Sequence, residues 1–405
     1  MEKKKQKKWI RPRHYAVRRF LAWPFWIYTR LVYKMHVEPF RQQEKRPYLI
    51  LLNHQTPFDQ FFAGLAFKGP VYYMATEDIF SLGWISSVIR WLVAPIPIKK
   101  QTTDVNAVMT CIRVAREGGT ICIAPEGNRT YSGRTEYMNP AIAALAKKLR
   151  VPIALFRIEG GYGAEPRWSD TIRKGYMRAY VSEVLSVEEI NAMTKEELAE
   201  RVNKGLYVDE AVADRPFRGK KRAEYIERMA YVCPFCGLSE FYSEGNITTC
   251  QKCGKQIEYC EDKTLKGLDH DFPFAFAAQW YDYQKDYIND LDVTKLTEKP
   301  LYLETVNVFQ VLLYKRKNLL RENAGLSLYG DRVVIDEGCD NALNLPFEEV
   351  AAVSVLGRNK LNIYHGDDVY QFKGSKHFNA LKYVHIYYRY KNISRGNEDD
   401  RFLGL

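Results

Sequence analysis

The chain has 405 residues, with 60 Lys and Arg against 49 Asp and Glu, and 46% of its residues are apolar. This length suggests two or three domains, and the composition excludes a wholly disordered or low-complexity protein. Residues 1–50 hold 14 Lys and Arg and 3 Asp and Glu, a net charge of +11, so the remaining 46 basic and 46 acidic residues balance. A neutral body with a basic first segment does not fit a uniformly basic nucleic-acid-binding protein.

The basic segment continues into an aromatic stretch that includes Phe20, Trp23 and Trp26. At helical spacing the apolar residues of positions 20–32 share one sector, and the cations of positions 18–34 lie outside it. This pattern is typical of a helix lying in a membrane interface, so residues 1–40 are predicted to form a basic amphipathic membrane-surface arm. Pro24 weakens the helix. The alternative is a core-packed helix behind a solvated lysine tail.

No run of about 18 uncharged apolar residues occurs, so no transmembrane helix is expected. Charges also interrupt every candidate core of a signal peptide. The predicted position is therefore peripheral, on the cytoplasmic face of a membrane.

Residues 41–215 alternate between short apolar runs and amphipathic stretches. Residues 48–52, 121–124 and 151–156 read as buried strands, and helices are predicted from Pro57 and over 141–149. Capping boxes at Ser186 and Thr194 open two further helices. Alternating strands and helices predict an α/β domain with a largely parallel sheet.

The first predicted strand delivers His54, and Asp59 follows five residues later. Ligands of open α/β sheets bind where buried strands end, so both side chains are expected to converge at the sheet edge. A His held by a carboxylate is the arrangement that removes a proton from an alcohol. Asp59 also lies three residues after Thr56, and completing a capping box is the structural alternative.

The strand at 121–124 is followed by Pro125, Glu126, Gly127, Asn128 and Arg129. Gly127 allows close backbone approach to a ligand, and the Arg129 guanidinium is a planar fork suited to phosphate. The alternative is a polar turn with a surface arginine.

In this order, the Asn-His-x4-Asp block, the Pro-Glu-Gly-x-Arg block and the Val151-Pro152-Ile153 strand resemble the lysophospholipid acyltransferase (PlsC-like) family. The resemblance covers about residues 45–215. It implies that His54 is a general base oriented by Asp59, and that Glu126, Gly127 and Arg129 bind the acceptor. It also implies acyl transfer from an acyl-CoA or acyl carrier protein thioester to a lysophospholipid hydroxyl.

The intermediate block departs from the family pattern, because Thr76 and Glu77 replace the usual cations. Basic residues remain at Lys99 and Lys100, and Lys100 is predicted to bind substrate. These departures leave the acceptor open: 1-acyl-glycerol-3-phosphate is favoured, and another lysolipid or a glycolipid hydroxyl is the alternative.

Residues 229–262 contain two C-x-x-C-Gly knuckles formed by Cys233 and Cys236 and by Cys250 and Cys253. Four thiolates in tetrahedral geometry suit a closed structural Zn²⁺ site, so this segment is predicted to be a zinc ribbon. Redox pairs are the alternative reading, and Cys260 is an alternative ligand with inferior spacing. The stretch from Tyr231 to Cys260 carries a net charge of −1, so no nucleic-acid partner is expected. Cys111 and Cys122 are predicted core residues.

Residues 300–393 change to strands and turns, with a hairpin at Gly330-Asp331 and a final amphipathic helix from near Ser375. Several strands closed by one helix resemble a pleckstrin-homology-like (GRAM-type) module. The whole chain is thus expected to be a peripheral membrane acyltransferase of phospholipid biosynthesis with two accessory modules. A non-catalytic lipid-binding adaptor on the same fold is the alternative.

Overall fold

The computed structural model describes residues 8–43, 47–80, 83–98, 104–312, 316–397 and 399–404, apart from the side chains of residues 77 and 78. These residues divide into two compact units. The first contains residues 1–130, 134–164 and 174–210, and the second contains residues 131–133, 165–173 and 211–405. Lys3, Lys4, Lys5 and Lys7 of the predicted arm lie outside the described residues.

The first unit is built on a seven-stranded sheet in the order β1-β7-β6-β2-β5-β3-β4. All neighbouring strands are parallel except β6 and β7, which confirms the predicted α/β fold with a largely parallel sheet. The strands are β1 (Met35–Val37), β2 (Leu49–Leu52), β3 (Val71–Thr76), β4 (Ile96–Ile98), β5 (Thr120–Ile123), β6 (Ile153–Glu159) and β7 (Met177–Leu185).

Nine α-helices are described in this unit. They are α1 (Pro12–Tyr28), α2 (Asp59–Ala66), α3 (Glu77–Phe80), α4 (Trp84–Val93), α5 (Val105–Arg116), α6 (Ala141–Leu149), α7 (Gly161–Ala164), α8 (Val187–Ala192) and α9 (Lys195–Leu206). Both predicted capping boxes are present, at the starts of α8 and α9. All four residues of β2 are buried, because strands and helices cover both of its sides.

The predicted arm is part of the first unit: one side of it packs against α2, and aromatic side chains on its other positions are exposed. Phe25 of α1 lies 5.7 to 6.0 Å from the rings of Phe58, Phe61 and Phe62. Pro24 stays inside α1, which passes directly into a π-helical turn at Thr29–Tyr33. The segment ends in β1, which pairs with β7. Among the described residues, no helix combines the length and apolar character that crossing a bilayer requires.

The second unit begins with small antiparallel sheets around the four predicted metal ligands. A pair of short strands, β8 (Val232–Cys233) and β9 (Gly237–Leu238), precedes a sheet of β10 (Phe241–Glu244), β11 (Ile247–Cys250), β12 (Gln256–Tyr259) and β13 (Leu265–Gly267). The aromatic stretch after it forms α10 (Ala277–Asn289).

The rest of the second unit is an antiparallel seven-stranded sheet closed by a helix, which confirms the predicted mostly β region ending in a helix. The predicted hairpin at Gly330-Asp331 joins β15 to β16. The helix, α11 (Leu381–Ser394), begins six residues after the predicted start at Ser375. The strands are β14 (Tyr302–Gln310), β15 (Asn318–Leu328), β16 (Arg332–Ile335), β17 (Leu343–Pro346), β18 (Val350–Leu356), β19 (Lys360–His365) and β20 (Asp368–Lys373).

Candidate active site

The structure brings the predicted pair, His54 and Asp59, into direct contact. Strand β2 ends at Leu52, and the short loop that follows it contains His54. Asp59 is the first residue of the next helix, α2. His54 Nδ1 lies 2.8 Å from Asp59 Oδ2. Asp59 is fully buried, whereas the His54 side chain is 22% exposed. Nε2 of His54 has no hydrogen-bond partner among the described residues, so it is the ring nitrogen left for a substrate.

The Asp59 carboxylate also holds the loop that carries His54. Oδ2 accepts hydrogen bonds from the backbone N–H groups of Gln55 (2.6 Å) and Thr56 (2.8 Å), and Oδ1 accepts from the Thr56 hydroxyl (2.6 Å). One carboxylate therefore contacts both the histidine ring and the loop backbone, and its catalytic role stays a prediction. Helix α2 begins at Asp59 rather than at Pro57 because residues 56–58 form a turn around this carboxylate.

Glu126 faces the backbone of the loop that carries His54. Its Oε1 accepts from the His54 N–H at 2.7 Å, and Oε2 lies 3.4 Å from the Glu136 N–H. Burial raises the pKa of Glu126 to about 8, and the two N–H groups only partly offset that effect. Glu126, which was predicted to bind the acceptor, therefore holds the backbone of His54 in place through this hydrogen bond.

Gly127 and Arg129 lie on the same loop as Glu126. Gly127 has φ +67° and open space where a Cβ would stand, so glycine is required by the backbone and leaves room for a ligand. Arg129 Nε donates to the carbonyl of Gln55 at 2.9 Å, and the Thr130 N–H donates to the carbonyl of His54 at 3.1 Å. The two loops predicted from sequence are therefore joined into one site.

Two residues that hold this site were not predicted. The side chain of Asn53 donates to the Ile158 carbonyl (2.9 Å) and accepts from its N–H (2.8 Å), which joins the end of β2 to β6. Gln55 Oε1 accepts from the N–H groups of Gly161 (2.9 Å) and Tyr162 (3.2 Å). Asn53 belongs to the recognised sequence block, whereas nothing in the local pattern distinguishes Gln55. The remaining predicted residue, Lys100, lies outside the described residues.

The four knuckle cysteines form a second candidate site, in the second unit. Their Sγ atoms all lie within 4.8 Å of one another, with Cys233 and Cys253 3.7 Å apart and Cys236 and Cys250 3.6 Å apart. A tetrahedral ion with Zn–S bonds of about 2.3 Å requires sulfur separations of about 3.8 Å. The donor set and its spacing therefore fit a metal of this kind.

The knuckle backbones also fit the predicted turns. Gly237 and Gly254, which follow the second cysteine of each pair, have φ +77° and +74°. Burial opposes ionisation of Cys250, but hydrogen bonds from Ser239 and from the N–H groups of Cys253 and Lys252 lower its pKa to about 7. Cys260 is outside the group of cysteines that the described structure brings together. Cys111 and Cys122 are buried core residues, as predicted.

Comparison with known proteins agrees with the sequence blocks. Residues 34–158 match the family model described as Acyltransferase. This segment is therefore similar to acyltransferase domains. The chain is 24% identical over 134 residues to a 1-acyl-sn-glycerol-3-phosphate acyltransferase of Bacillus subtilis (strain 168). That similarity covers 31% of this chain and 64% of the relative, so the chain spans less than two thirds of the relative's length.

Among solved structures, the chain is similar to the 1-acyl-sn-glycerophosphate (LPA) acyltransferase PlsC from Thermotoga maritima. The TM-score is 0.41 at 22% sequence identity, and the match covers 48% of this chain and 78% of that chain. A similarity of this size does not bear on function.

Proposed function

We propose that the protein transfers a fatty acyl group from a thioester donor to the free hydroxyl of a lysophospholipid, with 1-acyl-glycerol-3-phosphate as the acceptor. The observation that carries this proposal is the 2.8 Å contact between His54 Nδ1 and Asp59 Oδ2, which leaves Nε2 available within an acyltransferase-family domain. The relative from Bacillus subtilis supports the same acceptor class.

This contact supports a specific path for the proton. Asp59 accepts a hydrogen bond from the Nδ1–H of His54, so Nε2 carries the lone pair. Nε2 removes the proton of the acceptor hydroxyl as the hydroxyl oxygen attacks the thioester carbonyl. The buried carboxylate stabilises the imidazolium that forms. When the C–S bond breaks, the imidazolium returns the proton to the leaving thiolate. One ester bond has then replaced one thioester bond, and His54 is neutral again.

The acceptor headgroup is proposed to bind at the loop after β5. Gly127 is exposed and lets the backbone approach a ligand, and Arg129 is tied to the catalytic loop through Gln55. A guanidinium held there brings a phosphate close to the histidine, and Lys100 is proposed to add a second positive charge. The positive charges select a phosphate-bearing acceptor over a neutral one.

Zinc is proposed as a structural ion in the ribbon rather than as part of the chemistry. Cys233, Cys236, Cys250 and Cys253 would hold it, and four thiolates leave no open position for substrate. The acyl donor, acyl-CoA or acyl carrier protein, and the lysolipid are the proposed partners. The protein is proposed to act peripherally on the cytoplasmic face of a membrane.

The test is an assay of the purified full chain with labelled acyl-CoA and acyl carrier protein thioesters against a panel of lysolipids. We expect ester formation with 1-acyl-glycerol-3-phosphate and weaker turnover of acceptors that lack a phosphate monoester. Arg129→Lys should raise KM for the phosphate acceptor on the order of tenfold, because the planar fork is lost. Arg116→Lys, at an exposed position of α5, is the matched control. A wild type inactive on every lysolipid and donor would favour the adaptor.

A further inference from the structure

Helix α4 is apolar almost throughout, yet it is poorly covered by the rest of the first unit. Its sequence from Trp84 to Val93 contains one charged residue, Arg90, and Ser86 is its only buried residue. Trp84 is 76% exposed, Trp91 is 55% exposed, and Ile85 and Val88 are each 43% exposed. At helical spacing the polar residues Ser86, Ser87 and Arg90 share one sector, and the seven apolar residues fill the wide remainder. Much of that apolar sector is exposed, which marks a surface for lipid or a partner.

Helix α1 lies beside α4 and exposes the same kinds of side chain. Arg13 Nε donates to the Trp91 carbonyl at 3.0 Å, and its guanidinium lies 5.3 Å from the Trp91 ring centre. The Trp9 indole donates to the Ala94 carbonyl. An apolar groove of about 100 Å³ runs between the helices, lined by residues that include Leu21 of α1 and Val93 of α4. The two helices are therefore neighbours, and their exposed apolar side chains are called the α1–α4 face below.

Most large exposed apolar side chains of the first unit belong to this face. On α1 and the turn that follows, they are Tyr15, Phe20, Leu21, Trp23, Trp26, Tyr28 and Leu31. With Trp84 and Trp91, the α1–α4 face holds four of the seven tryptophans of the chain. Tryptophan is the residue that favours the boundary between lipid and water.

The charged residues of α1, of the turn after it and of α4 are all basic. Between residues 8 and 37, and again between residues 79 and 98, the sequence contains no Asp or Glu. Arg19, Arg30 and Arg90 are exposed on the same helices and the turn after α1. Exposed aromatic side chains between arginines match an anionic lipid surface, where the cations meet headgroups and the rings enter the interface.

We propose that α4 is a second membrane-binding element, and that it docks with α1 as one face onto a bilayer containing anionic phospholipid. The sequence predicts lipid contact for residues 1–40, and this inference extends the contact to α4, inside the segment that matches the acyltransferase family model. It rests on the proposed function only in that a lysophospholipid acceptor is presented by a bilayer. Docking through α4 fixes the orientation of this domain on the membrane, which one helix alone does not.

The inference is tested by the binding of the full chain to vesicles of phosphatidylglycerol and phosphatidylcholine, with Trp84→Ala/Val88→Ala as the variant. These two residues lie one helical turn apart on α4 and outside the catalytic site. Val105→Ala/Met109→Ala, an exposed apolar pair with the same spacing on α5, is the matched control. The α4 variant should bind at least about tenfold more weakly, since the apolar area of a Trp and a Val no longer enters the interface. The control should stay within about twofold of wild type.

A second measurement does not depend on the folding of the double variant. Brominated lipids should quench wild-type tryptophan fluorescence, and the quenching should fall in Trp84→Phe because that indole has been removed. Equal vesicle binding by wild type and the α4 variant, or unchanged quenching in Trp84→Phe, would overturn the proposal. So would a wild-type dimer that the α4 variant dissociates, because the face would then be covered by a second copy.

Turnover separates this inference from the proposed function. The α4 variant should lose activity on acceptor embedded in vesicles and keep it on acceptor dispersed as monomers. If wild type forms no ester in either format, the proposed function fails, while the vesicle measurements still decide the role of α4.

Discussion

The carboxylate of Asp59 accepts four hydrogen bonds, of which only one comes from the ring of His54. The N–H groups of His54 Nδ1, Gln55 and Thr56 all donate to Oδ2, and the single side-chain oxygen of an Asn can accept the same three hydrogen bonds. The fourth hydrogen bond comes from the Thr56 hydroxyl, and the Asn NH₂ group can replace it by donating to that hydroxyl oxygen. Asp59→Asn should therefore keep the loop folded and lose the negative charge that stabilises the imidazolium.

We expect Asp59→Asn to lower kcat on the order of 10²-fold or more while the melting temperature changes little. The measurement is the acyl-transfer rate at saturating substrate, alongside thermal unfolding. Asp104→Asn, which replaces the N-cap of α5 outside the site, is the control and should remain active. Full activity in Asp59→Asn would show that the Asp59 carboxylate has a structural role only.

Glu126 makes the stability of the first unit depend on pH. Its pKa is raised to about 8 in the folded chain, so between its ordinary value near 4.5 and 8 the folded state binds the proton that the unfolded state has released. Its contribution to stability is complete below that range and is lost as pH rises through it, with a slope of at most about 1.4 kcal/mol per pH unit. Glu126→Gln should flatten this decline.

The check is denaturant unfolding of wild type and Glu126→Gln at several pH values between 5 and about 9. The stability of the variant relative to wild type should increase with pH. A constant difference across that range would show that the carboxyl does not titrate there. Glu136→Gln, which changes a neighbouring carboxylate on the same side of the site, serves as the comparison.

At the scale of elements, the two loops of the site could be predicted because each follows a short buried strand. Residues 49–52 and 120–123 have no polar side chain other than Thr120, so their boundaries are visible in the sequence. Gln55 could not be predicted, since its role depends on Gly161 and Tyr162, more than 100 residues away. Helix α4 was not predicted, although Ser86, Ser87 and Arg90 share one side of its ten-residue pattern.

The cysteine knuckles are elements that depend on the ion they are proposed to hold. Cys250→Ala should abolish zinc binding, leaving well under one zinc per chain, and should lower the unfolding temperature of the second unit, because a structural zinc contributes folding free energy directly. Metal analysis and calorimetry measure both effects. Cys339→Ala, an exposed cysteine outside the cluster, should retain the metal. Wild-type protein purified without chelators and free of zinc would contradict the assignment.

At the scale of the whole molecule, the two units interleave along the chain. Residues 165–173 lie inside the range predicted for the acyltransferase domain, 41–215, but pack within the second unit. Arg167 donates to the carbonyls of Val355 and Gly357 at 3.1 Å, and Arg228 pairs with Asp170 at 2.6 Å. The sequence pattern around a residue predicts helices and strands, but it does not show which distant strand will accept a hydrogen bond from an arginine such as Arg167. The predicted boundaries of the ribbon, 229–262, and of the pleckstrin-homology-like region, 300–393, stay predictions.

The α1–α4 face also changes how the membrane role of the N-terminus should be tested. Deleting the first 35 residues would remove Phe25 from its contacts with Phe58, Phe61 and Phe62, and would uncover the core next to the catalytic loop. Loss of membrane binding in such a truncation would not be separable from unfolding. Substitution of a strongly exposed side chain such as Trp84 leaves the contacts of Phe25 in place.

The central claim is that His54 is the base of an acyl transfer, and the most direct measurement is labelled acyl transfer to 1-acyl-glycerol-3-phosphate by wild type and His54→Ala. Wild type should form the diacyl product, and His54→Ala should lose on the order of 10²–10⁴-fold of that rate with its fold intact. His36→Ala, which changes an exposed histidine of β1, should remain as active as wild type. Undiminished ester formation by His54→Ala would contradict the account.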